Sequence, residues 1–142
     1  MTTEIPAERA TWIKDHMQQY LETNGEDGHD WRGVPTLLLT TTGSKSGKQT
    51  TTPLIYGRDG DRLLVVASKG GAPKHPMWYT NLAANPDVAV QVKDELYKAT
   101  ARTAAPDEKP KLWQTMSTIW PAYNDYQGRT EREIPVVIIE RA

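Results

Sequence analysis

The chain has 142 residues, of which 17 are basic and 18 acidic, giving a formal charge of −1 at neutral pH. That length suffices to bury one core, and so small a net charge gives no bulk electrostatic reason to bind nucleic acid or an anionic membrane. Cysteine and phenylalanine are both absent, which excludes disulfides, thiol nucleophiles and zinc–thiolate sites and leaves Trp and Tyr as the only aromatic rings.

The predicted elements begin with an amphipathic helix over residues 7–23, where Ile13, Met17, Tyr20 and Leu21 recur at helical spacing before the stop Asn24-Gly25. Left undocked, that stripe would suit a membrane surface, so peripheral membrane contact stays open. An acidic loop spans 26–30. Residues 36–42 are apolar and β-branched enough for a buried strand, with a turn over 43–47. A second strand spans 50–58, and Pro53 within it demands an edge or a bulge because proline cannot donate to the ladder. Asp59-Gly60 then turns the chain into a third strand, 62–68.

After a loop over 69–76, residues 77–84 read as a short helix ended by Asn85-Pro86. Strands 87–93 and 96–104 pair across Asp94-Glu95. Asp107 is placed to cap a helix striped by Leu112, Met116, Ile119 and Trp120, which Pro121 breaks. A polar segment carrying Tyr123 and Tyr126 leads to a last strand, 135–140. About six mostly antiparallel strands with flanking helices make an α+β chain built on a closed or split barrel. The expectation is one domain, 1–142, divided into an N-terminal helix and loop (1–34) and the barrel (35–142). No apolar run approaches membrane-spanning length and no signal-peptide blocks open the chain, which points to the cytoplasm.

Charge is unevenly spread. Between residues 33 and 86 only Asp59 and Asp61 are acidic, against Lys45, Lys48, Arg58, Arg62, Lys69 and Lys74. Two of these lysines lie in the glycine-bearing stretch 43–48, and two more in 68–74, which runs into Met77, Trp78, Tyr79 and Asn81. Exposed backbone beside cations suits phosphate or carboxylate, and an aromatic plane suits a flat ring, so both stretches read as one cofactor cradle. Residues 43–48 are not a P-loop: the glycines are too close together, Gln49 follows the lysine and a strand comes next. His16, His29 and His75 have no helical-spacing partner and no cysteine, so no metal site is expected. With no side chain standing out as nucleophile, the reactive atom of an enzyme here belongs to a cofactor.

Residues 35–43, Lys45-Ser46-Gly47, Thr52-Pro53-Leu54, 66–74, Trp78-Tyr79, Asn81, Asn85-Pro86, 120–127 and 132–136 closely resemble the deazaflavin-dependent nitroreductases of actinobacteria. The resemblance implies a split β-barrel of the FMN-binding type and coenzyme F420, whose reduced form donates hydride to an electron-poor acceptor such as a quinone, enone or nitroaromatic. By the family pattern Lys45 and Lys69 would hold the anionic tail, with Lys48 a further cation from the same turn. Pro53 and Leu54 would press on the ring, Ser68, Gly70 and Gly71 would bond its edge or the phosphate, and Trp78 and Asn81, beside Met77, would close the pocket. Tyr123 and Tyr126 match tyrosines on the substrate side and take the catalytic role of positioning the acceptor. The pattern places basic residues where this chain has Ser44 and, shortly before Pro53, Thr50 and Thr51. A non-catalytic F420 carrier and an FMN-binding reductase are the alternatives, and either a monomer or a homodimer fits.

Overall fold

The computed structural model describes residues 30–31, 34–93 and 95–141; the expected helix over 7–23 and the stretch 26–29 lie outside them. Among the described residues the elements run β1 (Asp30–Trp31), β2 (Val34–Thr42), β3 (Gln49–Ile55), β4 (Gly57–Asp59), β5 (Arg62–Val66), a 3-10 turn (Lys69–Gly71), α1 (Met77–Ala84), β6 (Asp87–Val92), β7 (Glu95–Thr103), α2 (Lys109–Ile119), α3 (Ala122–Gly128) and β8 (Val136–Arg141). Every pairing is antiparallel. The strand order is β1-β2-β6-β7-β8-β5-β4, with β3 added to β2.

Leu37 and Leu39 of β2, toward one end of that order, share a buried cluster with Leu63 and Val65 of β5, toward the other. The sheet therefore curls on itself as a split β-barrel, the expected fold. Its inner face is lined at alternate positions by Val88, Val90 and Val92 of β6 and by Ala99 and Ala101 of β7, a period of two whose intervening residues are more exposed. Strands β5 and β8 behave differently, since consecutive residues are buried. Leu63, Val65, Val137 and Ile139 face the barrel, while Leu64, Val66, Val136 and Ile138 join Leu112 and Met116 of α2 and Tyr123 of α3 in a second cluster. The paired β5 and β8 are thus covered on both faces.

Three expectations change. The strand foreseen over 50–58 divides at Tyr56: β3 pairs with β2, while β4 turns through Gly60 (φ 62°) to pair with β5. Tyr56 sits between them, buried, with its N–H donated to the Pro35 carbonyl. Pro53 does lie on an edge strand, as its missing donor requires. Asp107 does not cap α2: the residue before the helix is Glu108, which makes no side-chain cap bond, its carboxylate accepting instead from the Ala105 N–H at 3.0 Å and from Arg102 at 2.8 Å. The polar segment after Pro121 is helical, forming α3.

Candidate functional site

The turn between β2 and β3 is closed by Gly43 N–H to the Lys48 carbonyl at 2.7 Å and carries Lys45 and Lys48 exposed at its tip. Helix α1 anchors it. Asn81, 3% exposed, accepts the Ser44 N–H at 3.2 Å and donates to Thr41 Oγ1 at 3.2 Å, and Asn85 donates to the Thr42 carbonyl at 3.4 Å. Asn81 thus fastens the lysine turn to the helix that follows the second glycine loop. Trp78 is core: it lies buried with Leu82 in the barrel cluster, while Met77, opening the helix, is 44% exposed. Leu54 packs against the barrel cluster from β3, and Pro53 beside it is half-buried. Thr51 and Thr50, where the family pattern calls for a basic residue, bond across to Thr40 and Thr41 of β2 at 2.8 and 3.4 Å.

The second loop leaves β5 at Ala67 and Ser68 and tightens through the 3-10 turn, with Lys69 at φ 45° and Gly71 at φ 82°. Ser68 is buried. Gly71 lies directly against α3. A methyl group at its α-carbon would stand 2.6 Å from the Tyr126 carbonyl oxygen and 3.1 Å from its α-carbon, so only glycine fits there. The loop containing Ser68, Lys69, Gly70 and Gly71 is therefore packed against the helix that carries both candidate tyrosines.

Those tyrosines differ in exposure. Tyr123 is 5% exposed, and burial, with Tyr126 beside it, pushes its phenol well above the ordinary tyrosine range; its ring tilts against Trp113 at 6.3 Å. Tyr126 is only partly buried and meets Tyr123 edge-on. Trp120 Nε1, a donor only, approaches the Tyr126 hydroxyl at 3.4 Å, so the hydroxyl accepts there and turns its own proton to another acceptor. Of the two, Tyr126 is the more exposed phenol.

Arg132 is the residue that sequence reasoning passed over. It sits in the segment between α3 and β8 and reaches back some sixty positions. Its Nε donates to the Ala72 carbonyl at 2.8 Å, Nη2 to the Ser68 carbonyl at 2.7 Å and Nη1 to the Ala67 carbonyl at 3.2 Å, with His75 Nδ1 3.0 Å from Nη1. Arginine has no acceptor, so His75 Nδ1 must accept and the ring is neutral. Desolvation, then the Arg132 charge, lowers the His75 pKa below 6.5. Gln127 of α3 secures the segment on both sides, donating to the Arg132 carbonyl at 2.8 Å and accepting the Ile134 N–H at 2.9 Å. Nothing local in the sequence marks these roles, because the partners are backbone groups far along the chain. An open cleft of about 340 Å³ bordered by His75, Tyr79, Lys109 and Glu133 includes none of the expected cofactor residues.

A curled antiparallel sheet with two lysine-bearing glycine loops, the second packed against a helix carrying two tyrosines, places the chain in the split β-barrel class. Comparison narrows the class. The model of the F420H(2)-dependent quinone reductase family matches residues 12–141. An F420H(2)-dependent quinone reductase of Mycobacterium tuberculosis is 46% identical over 133 residues, covering 91% of this chain and 89% of that protein. Among solved structures, an F420-H2 dependent reductase is 45% identical with a TM-score of 0.69, over 75% of this chain and 94% of that one. Another, described as a domain-swapped dimer, is 41% identical with a TM-score of 0.72, over 92% of this chain and 98% of that one. The chain belongs to the F420H(2)-dependent quinone reductase family, whose members are oxidoreductases, and F420 takes precedence over FMN as the cofactor.

Proposed function

We propose that this chain uses F420H2 to reduce a quinone, with other electron-poor acceptors such as enones and nitroaromatics as secondary substrates. The observation that carries the reading is the fastening of the first lysine turn by Asn81 to the helix into which the second glycine loop runs, with that second loop packed on the helix of Tyr126. The residues fit the cofactor: cations for an anionic tail, a loop that tolerates no added methyl at Gly71, and an apolar edge at Pro53 and Leu54. When bound, the reduced deazaflavin supplies the hydride.

The chain's own residues do the rest. In this reading Lys45, Lys48 and Lys69 hold the tail, while Ser68, Gly70 and Gly71 present backbone and hydroxyl groups to the phosphate or ring edge. Asn81 and Trp78 fix the cradle rather than touching the ring, and Met77 borders its mouth. Tyr126 donates its hydroxyl hydrogen to the acceptor oxygen on which negative charge gathers, with Tyr123 as the packed support behind it. The homodimer is the preferred assembly, because a relative sharing nearly its whole length with this chain is described as a dimer. No helix among the described residues is long and apolar enough to cross a membrane. In this reading the cytoplasmic enzyme meets lipid-soluble quinones through peripheral contact with the membrane.

The test is to mix the protein with F420H2 and menadione and follow cofactor absorbance. Reoxidation above the rate without enzyme is the expected result, and its absence across quinones, enones and nitroaromatics overturns the proposal.

A further inference from the structure

We infer that Arg132 is a positioning residue for the cofactor loop: its guanidinium gathers the carbonyls of Ala67, Ser68 and Ala72 and the Nδ1 of His75 on one side, which sets the direction of the loop's N–H groups. The inference rests on the reading of 68–71 as part of the F420 cradle. In a trans peptide the C=O and the following N–H point in opposite directions. Once the Ala67 and Ser68 carbonyls are held by Arg132, the N–H groups of Ser68 and Lys69 are turned away from it. The Ala72 carbonyl precedes Pro73, which has no N–H, so holding it sacrifices no donor.

Only arginine can do this. Its five donors lie in one plane, and three of its nitrogens, Nε, Nη1 and Nη2, are all engaged here, whereas lysine offers one nitrogen and reaches one or two acceptors. The loop's own bonds, Gly71 N–H to the Ser68 carbonyl and Ala72 N–H to the Lys69 carbonyl, shape the turn but do not fix it to the barrel. Arg132 supplies that attachment, and Gln127 holds Arg132 in place by bonding the backbone at 132 and 134. The contact with α3 at Gly71 is a second point of attachment for the loop.

Arg132→Lys and Gln127→Met test the inference by three readouts: thermal unfolding, hydrogen exchange of the peptide spanning residues 67–76 without cofactor, and F420 affinity by fluorescence titration. For Arg132→Lys the expected result is faster exchange confined to that peptide and F420 affinity weakened about tenfold or more, as loss of charge-assisted bonds implies. Gln127→Met shifts exchange and affinity in the same direction by a smaller factor, which decides the matter if Arg132→Lys fails to fold. Wild-type F420 affinity in a folded Arg132→Lys protein overturns the inference, whether or not the loop exchanges faster. Failure of the wild-type protein to bind F420 overturns the functional reading and this inference with it, and the exchange data then show separately whether Arg132 holds the loop.

Discussion

Gly71→Ala puts the packing of the cofactor loop against α3 to a quantitative test. Gly47, Gly60 and Gly71 all have positive φ, at 70°, 62° and 82°, but an added methyl meets nothing within 4 Å at Gly47 or Gly60. At Gly71 it meets the Tyr126 carbonyl oxygen at 2.6 Å and the Arg129 β-carbon at 3.0 Å. Placing an L-residue in the left-handed region costs roughly 1–2 kcal/mol, which all three alanine variants share. Overpacking against atoms that cannot move independently adds about 1–3 kcal/mol. Gly71→Ala should therefore lose roughly 2–5 kcal/mol against about 1–2 for Gly60→Ala. At roughly 3–5 °C per kcal/mol for a chain of this size, the two melting points separate by several degrees. Urea unfolding with unchanged m-values measures the difference directly. F420 titration should show Gly60→Ala binding as wild type and Gly71→Ala binding more weakly. Equal destabilisation of the two variants would refute the close approach of the loop to α3.

Removing the Asn81 amide should loosen the first lysine turn. Asn81→Leu leaves the Ser44 N–H without its partner and the Thr41 hydroxyl with only its bond to Thr50, so urea denaturation should show a loss of about 1–3 kcal/mol, and F420 should bind less tightly as the Lys45 turn loosens. Tyr126→Phe should lower kcat for menadione about tenfold with little change in melting point, because a neutral phenol contributes one hydrogen bond to the developing charge. Tyr123→Phe should leave kcat within about twofold, since a hydroxyl that buried does not reach substrate; the reverse ordering would exchange the roles of the two rings. Acid stability follows from two groups. The lowered pKa of His75 means that the unfolded chain takes up its proton first, so stability present above pH 6.5 is lost as the pH falls through that value, and His75→Asn should remove this slope. Glu108, held down to about 2 chiefly by its bond to Arg102, contributes stability above pH 4.5 that is lost as the pH falls toward 2, and Glu108→Gln should flatten that lower limb.

Much of this fold is legible where local pattern and tertiary role agree. Alternation in 87–92 and the Asp59-Gly60 turn carry their own signals, and the short helix Met77–Ala84 is bounded by Pro76 and Asn85-Pro86. The break at Tyr56 is not legible, because it arises from β2 and β5 competing for one stretch of chain that is β-forming throughout. Helix α3 is hidden for a related reason: in seven residues it has no apolar stripe to detect, and Gln127 ties it to the following segment only in three dimensions. The lysine and glycine loops suggest an anion-binding cradle by composition, whereas the bonds from Asn81 to Ser44 and Thr41 join residues far apart in the chain and leave no local signal. The fourfold grip of Arg132 on the loop depends on carbonyl positions that no residue type encodes.

Because successive residues of β8 look into different interiors, the strand divides evolutionary pressure by parity. Val137 and Ile139 answer to the barrel, and Val136 and Ile138 answer to the layer of α2 and α3. Side chains of the outer helical layer can be exchanged by compensating changes at the even positions while the odd positions, which face the barrel, stay as they are.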